Sequence, residues 1–143
     1  MTEKCLEYTF DEINIGLTKE FQITITESMV NDFAKISGDF SPIHIDDNYA
    51  KTTTFGKRVV HGMLLASFLS RVDGMYLPGK HGLYFSQNIE FRNPCFIGDN
   101  VKVISRVIDK SEATKIIKIE SSILNQNNQI LLQGVGRVIV RDD

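Results

Sequence analysis

The period of apolar residues changes twice along the chain. Lys19-Glu20-Phe21-Gln22-Ile23-Thr24-Ile25 places an apolar side chain at every second position, the period of a strand with one buried face. Met29, Val30, Phe33 and Ala34 then recur at helical spacing, behind Thr26 as N-cap and Glu27 as a first-turn carboxylate that complements the helix dipole. Gly38, able to take positive φ, stops that helix. The polar stretch 46–56 predicts a short helical turn followed by irregular chain. Over 62–72, Met63, Leu64, Leu65, Ala66, Phe68, Leu69 and Val72 leave Ser67 and Ser70 as exceptions, which predicts a helix buried on nearly all sides. Beyond the turn Leu77-Pro78-Gly79-Lys80 the period becomes two and stays there. Strands are predicted over 83–91, 101–108, 114–124 and 130–140, separated by segments rich in Asn, Asp, Ser and Pro. Long strands with short turns predict an antiparallel sheet. With one buried helix beside it, the expected class is a two-layer α+β arrangement in which the sheet wraps the helix.

Size and charge narrow the possible functions. A chain of 143 residues is the length of one ordinary domain, so a single domain over 1–143 is expected. A net charge of −2 gives no electrostatic case for nucleic acid or acidic membranes, and any anionic ligand must be held by local basic residues. Met1-Thr2-Glu3-Lys4-Cys5 leads into a charged segment without the apolar core of a secretory signal, and no run reaches the length of a membrane span. A cytoplasmic location is expected. Cys5 and Cys95 are far apart, outside any metal-ligand spacing, and are expected to be free thiols.

The chemistry concentrates in Ser37-Gly38-Asp39-Phe40-Ser41-Pro42-Ile43-His44-Ile45-Asp46-Asp47. Gly38 and Pro42 restrict the backbone on either side of Asp39, holding Asp39 and His44 on a shaped turn. A carboxylate and an imidazole converging on one water can take a proton and give one near neutral pH. The alternative is structural: Asp39 caps the next turn and His44 is a hydrogen-bonded, partly buried histidine. A second segment, Arg58-Val59-Val60-His61-Gly62-Met63-Leu64, weighs against that alternative. Gly62 opens the apolar helix, and an amide at a helix N-terminus can receive an oxygen on which negative charge develops. Asp46 and Asp47 have no further ligands around them, so no metal site is expected.

From about Thr26 to the C-terminus the chain resembles the MaoC-like, (R)-specific enoyl-CoA hydratases of the hot-dog fold. The resemblance rests on Ser37-Gly38-Asp39-Phe40-Ser41-Pro42-Ile43-His44, Val60-His61-Gly62-Met63-Leu64, Leu77-Pro78-Gly79-Lys80, Phe91-Arg92-Asn93-Pro94 and Phe96-Ile97-Gly98-Asp99. Ser41 stands where the family commonly has Asn. The resemblance implies a hot-dog domain and a catalytic Asp39/His44 pair. It further implies that Gly62 supplies an oxyanion amide and that Ser70 is the helix serine that hydrogen-bonds the catalytic Asp. His61 would shape the turn into the helix. Ser41, Pro42, His61, Met63, Lys80 and Arg92 are candidates for substrate contact, and Lys57, Arg58, Lys80 and Arg92 are the bases near the motifs that could meet a CoA phosphate. The implied substrate is an acyl-CoA or acyl-carrier-protein thioester, with no cofactor and a homodimeric or larger assembly. Alternatives are a carrier-protein dehydratase, a thioesterase, which the absence of an acidic residue in the 62–72 helix disfavours, and a non-catalytic partner subunit, which retention of both Asp39 and His44 disfavours.

Overall fold

The computed structural model describes residues 3–143. Strand β1 (Thr18–Thr24) runs into α1 (Glu27–Ser37), followed by the short helices α2 (Pro42–Ile45) and α3 (Asp47–Lys51) and by α4 (Gly62–Arg71), which continues as a π-helical turn over Val72–Tyr76. The rest is strand: β2 (Gly82–Gln87), β3 (Glu90–Phe91), β4 (Asn100–Ser111), β5 (Ile116–Leu124) and β6 (Ile130–Val140). They form one six-stranded antiparallel sheet of order β1-β4-β5-β6-β2, with β3 also on β6.

Local chemistry accounts for the element ends. Thr26 Oγ1 accepts from the Met29 amide at 3.2 Å, the N-cap bond expected of it. Gly38 closes α1 in the left-handed region at φ 80°, its N–H bonded to the Ala34 carbonyl at 2.8 Å. Pro42 occupies the first turn of α2, where its missing N–H costs nothing, and Asp46 Oδ1 caps α3 through the Tyr49 amide at 3.0 Å. In the sheet, β4 and β5 bury alternate residues. Leu65, Leu69 and Val72 of the helical layer and Val103, Ile119 and Leu132 of the sheet join in one core, each 2% exposed or less. No helix of the described residues is long and apolar enough to cross a membrane.

Two expectations need correcting. The run 83–91 is not one strand: Asn88 breaks it, its side-chain Oδ1 accepting from the Val135 amide at 2.6 Å where the ladder would otherwise continue. The ladder also shifts register between Tyr84 and Ser86. Helix α4 is also less buried than its composition implies. Met63, Ser67 and Ser70 lie along one stripe at helical spacing and remain exposed, Met63 at 58%. Beside that stripe, the edge strand β2 exposes Leu83, Tyr84 and Phe85.

Candidate active site

Asp39 and His44 sit on the α1–α2 connection, where hydrogen bonds fix both. The Asp39 amide donates to Ser37 Oγ at 3.1 Å, and Asp39 Oδ1 accepts from the Ser41 amide at 3.1 Å, an Asx turn that leaves Oδ2 free. His44 Nδ1 lies 2.7 Å from the Val59 carbonyl. A carbonyl only accepts, so Nδ1 carries the proton and the neutral ring keeps its lone pair on Nε2. That nitrogen is 3.8 Å from Asp39 Oδ2. The gap is too long for a direct hydrogen bond, but one water oxygen can lie within bonding reach of both atoms.

Behind this pair is His61, 2% exposed, whose Nε2 donates to the Asp39 carbonyl at 3.0 Å. Burial holds its pKa below the ordinary value, against the opposing pull of the Asp39 carbonyl. Next along the chain, Gly62 begins α4. Among the described residues, neither its amide nor that of Met63 has a backbone acceptor. A Cβ on Gly62 would stand 2.6 Å from Phe91 Cε1, so the ring of Phe91 reaches the helix mouth only because residue 62 is glycine.

These groups open onto a cavity of about 460 Å³, in which Asp39, His44 and the Gly62 helix mouth meet Phe33, Phe55 and Phe91. Of the residues singled out in the sequence, Asp39, His44, His61, Gly62, Met63 and Arg92 line it. Ser41, Pro42 and Lys80 do not; Lys80 Nζ pairs instead with Glu7 at 3.0 Å. Ser70 is not brought to Asp39. It opens on a second cavity of about 410 Å³, lined also by Tyr84, Phe85 and Gln87, which shares Phe33 and Met63 with the first. Arg92, at the rim, is engaged with Glu90.

Arg58 is unavailable to a phosphate, being 5% exposed with its guanidinium on His44, Glu27 and Asn31. Sequence reading missed this, because Glu27 and Asn31, polar and one turn apart on α1, read as an ordinary solvated helix face. Asp39, His44 and His61 each bring one ligand-type atom within 4.8 Å of the others. His44 Nδ1 and His61 Nε2 donate to carbonyls, which leaves His44 Nε2 and His61 Nδ1 as the lone-pair nitrogens of the set.

The model of the MaoC-like domain matches residues 11–129. The chain belongs to the MaoC-like family. It is 34% identical over 131 residues to the (R)-specific enoyl-CoA hydratase of Rhodospirillum rubrum, covering 92% of the chain and 90% of that enzyme. It is 43% identical over 94 residues to the 3-hydroxybutyryl-CoA dehydratase of Methylorubrum extorquens, covering 66% of the chain but only 60% of that enzyme's length. The unliganded R-hydratase of Pseudomonas aeruginosa superposes with a TM-score of 0.93 at 28% identity, over 99% of this chain and 90% of that one. The sheet and central helix of this MaoC-like chain are therefore a hot-dog fold.

Proposed function

We propose that this MaoC-like chain adds water to trans-2-enoyl-CoA thioesters to give (3R)-3-hydroxyacyl-CoA, and runs the reverse dehydration. The observation that carries the reading is the 3.8 Å gap between Asp39 Oδ2 and the unprotonated Nε2 of His44, with the Gly62 amide on the same cavity wall.

Hydration needs three things: water delivered to C3, a proton at C2, and stabilisation of the enolate-like thioester oxygen. His44 Nε2, held with its lone pair outward, takes a proton from the shared water as the oxygen bonds C3. Asp39 delivers a proton to C2 on the same face and takes up the water-derived proton from His44, so the pair ends as it began; the (3R) configuration is set by the face of C3 that meets the water. The thioester oxygen lies at the mouth of α4, where the Gly62 amide and the helix dipole act on the developing charge. Placed acid–base groups contribute about 10²–10⁴ in rate and an oxyanion donor about 10²–10³. Arg92 at the rim, and Lys57, whose Nζ lies 4.5 Å from the Phe96 ring centre, are the bases we assign to the CoA phosphates. Free thiols at Cys5 and Cys95 support a reducing, cytoplasmic setting.

We further propose a homodimer joined through the β2 edge and the exposed α4 stripe. An apolar edge strand beside an exposed helix stripe of Met63 and two serines is a surface a second copy would cover, and Phe33 and Met63 link it to the catalytic cavity.

The test is loss of enoyl-thioester absorbance on mixing with crotonyl-CoA, with product chirality read by a stereospecific dehydrogenase. Turnover to the (3R) product, reduced about 10²-fold or more in folded Asp39→Asn and His44→Ala, is the expected result. Activity confined to the carrier-protein thioester would replace the CoA substrate by that one. A folded variant keeping over about a tenth of the activity would remove that residue from the chemistry.

A further inference from the structure

A buried guanidinium behind His44 takes no part in the water chemistry just described. Arg58 Nε donates to the His44 carbonyl at 2.6 Å, one terminal nitrogen to Glu27 Oε1 at 3.1 Å and the other to Asn31 Oδ1 at 2.7 Å. Burying a cation is costly unless it is fully paired, and here each nitrogen of the fork has an acceptor. The His44 carbonyl belongs to the last turn of α2, whose carbonyls have no partner within the helix, so Arg58 supplies the missing donor. Glu27 and Asn31 are one turn apart on α1, the helix that also delivers Asp39 to the site.

The next residue completes the grip. The Val59 amide donates to the Ile43 carbonyl at 3.0 Å, and the Val59 carbonyl accepts from His44 Nδ1 at 2.7 Å. Residues 58 and 59 therefore hold His44 at its backbone and its ring together. We propose that Arg58 is a positioning residue: it ties the His44 backbone to α1, which keeps the ring in its Nδ1-protonated tautomer with Nε2 facing Asp39. Lysine cannot replace it, because an ammonium is a point charge without the rigid fork needed to reach three acceptors.

Two readouts separate this inference from the hydratase reading, on which only its kinetic half depends. Long-range proton–nitrogen spectra report the His44 tautomer whatever the substrate. In folded Arg58→Lys, the expected result is a His44 ring no longer wholly Nδ1-protonated, with kcat on crotonyl-CoA down about 10²-fold and KM little changed, the signature of a displaced catalytic group. Wild-type kcat and an unchanged His44 spectrum in that variant would overturn the proposal. So would a rise in KM alone, which would assign Arg58 to thioester binding. Should Arg58→Lys not fold, Asn31→Ala and Glu27→Gln remove only the anchors on α1. The same changes, smaller, are expected there, and wild-type behaviour in both would overturn the proposal equally. If the wild-type protein ignores enoyl thioesters, the hydratase reading fails, and the spectra still decide the role of Arg58.

Discussion

His61 lies flat against His44, with ring centroids 4.0 Å apart and planes inclined by 26°. The residue before Gly62 is thus a stacking plate for the proposed base, and the Phe33 ring, 4.9 Å away, packs on it too. His61 Nδ1 is buried without a hydrogen-bond partner among the described residues. Protonating that nitrogen would bury an unpaired charge beside His44.

Stability should therefore depend on pH through His61. Burial lowers its folded-state pKa below the ordinary 6.5, so below about pH 6.5 the unfolded chain binds a proton that the native state refuses. Stability is lost as the pH falls from that point towards the lowered folded value. Urea midpoints measured between pH 7.5 and 5.5 in the wild-type protein and in His61→Gln, which retains a donor for the Asp39 carbonyl and cannot titrate, isolate this effect: relative to the variant, the wild-type protein should lose stability as the pH falls. An equal pH dependence in the two proteins would remove His61 from it.

Gly62 and Phe91 should prove coupled. A Cβ at residue 62 would stand 2.6–3.0 Å from three atoms of the Phe91 ring, which is 53% exposed and free to swing. Gly62→Ala should therefore fold, displace the ring across the cavity mouth and raise KM, because the amide itself is retained. In the double variant with Phe91→Ala the clash disappears, and a coupling of about 0.5–3 kcal/mol is expected from a double-mutant cycle on kcat/KM. Additive effects would mean that the ring and the helix mouth act independently.

Much of this was legible because local rules and tertiary structure agree. The Thr26 cap, the left-handed Gly38, the alternating strands and the Asp39–His44 turn each follow from residue type and spacing, and the motifs carried the fold name. What was illegible depends on partners distant in sequence. Arg58 reads as one more solvated cation until Glu27, Asn31 and the His44 carbonyl surround it. Lys80 sits in a motif, yet the turn carries it to Glu7 and away from the cavity. The break at Asn88 needs Val135 opposite it. A stripe of Met63, Ser67 and Ser70 cannot announce from one chain that nothing in that chain covers it.

Asp73 offers a second effect of pH, of opposite sign. It lies in the π-helical turn after α4, 7% exposed, with Oδ2 unpaired among the described residues. The hydroxyl of Tyr84, which faces Asp73 from β2, donates to Gln87. Burial, opposed only weakly by Tyr84, raises the carboxyl pKa from 3.8 to about 7. Between those values the native state holds a proton that the unfolded chain has released, so stability falls as the pH rises through that window. Asp73→Asn should match wild type near pH 4 and exceed it by up to about 4 kcal/mol above pH 7, at 1.36 kcal/mol per pKa unit. Denaturant titrations at the two pH values measure the difference, and equal stability at pH 7.5 would show that solvent reaches the carboxylate.

The assembly we propose makes the last prediction. Among the described residues strand β2 has a neighbour on one side only, β6, and its Leu83 and Phe85 are 54% and 60% exposed, beside Met63 at 58%. A second copy laid on that edge would continue the ladder and cover the stripe, whereas a charge there would be buried without a partner. Light scattering should give twice the chain mass of 16.2 kDa for the wild-type protein and one chain for Phe85→Glu. Activity should fall with the mass, because Phe33 and Met63 line both the catalytic cavity and the cavity at this surface, and loss of the partner opens both to water. In the variant, activity per chain should then rise with protein concentration as dimers re-form. A wild-type protein that runs as a single chain with full turnover would show that the stripe is covered by something other than its own copy, or left bare without cost to the site.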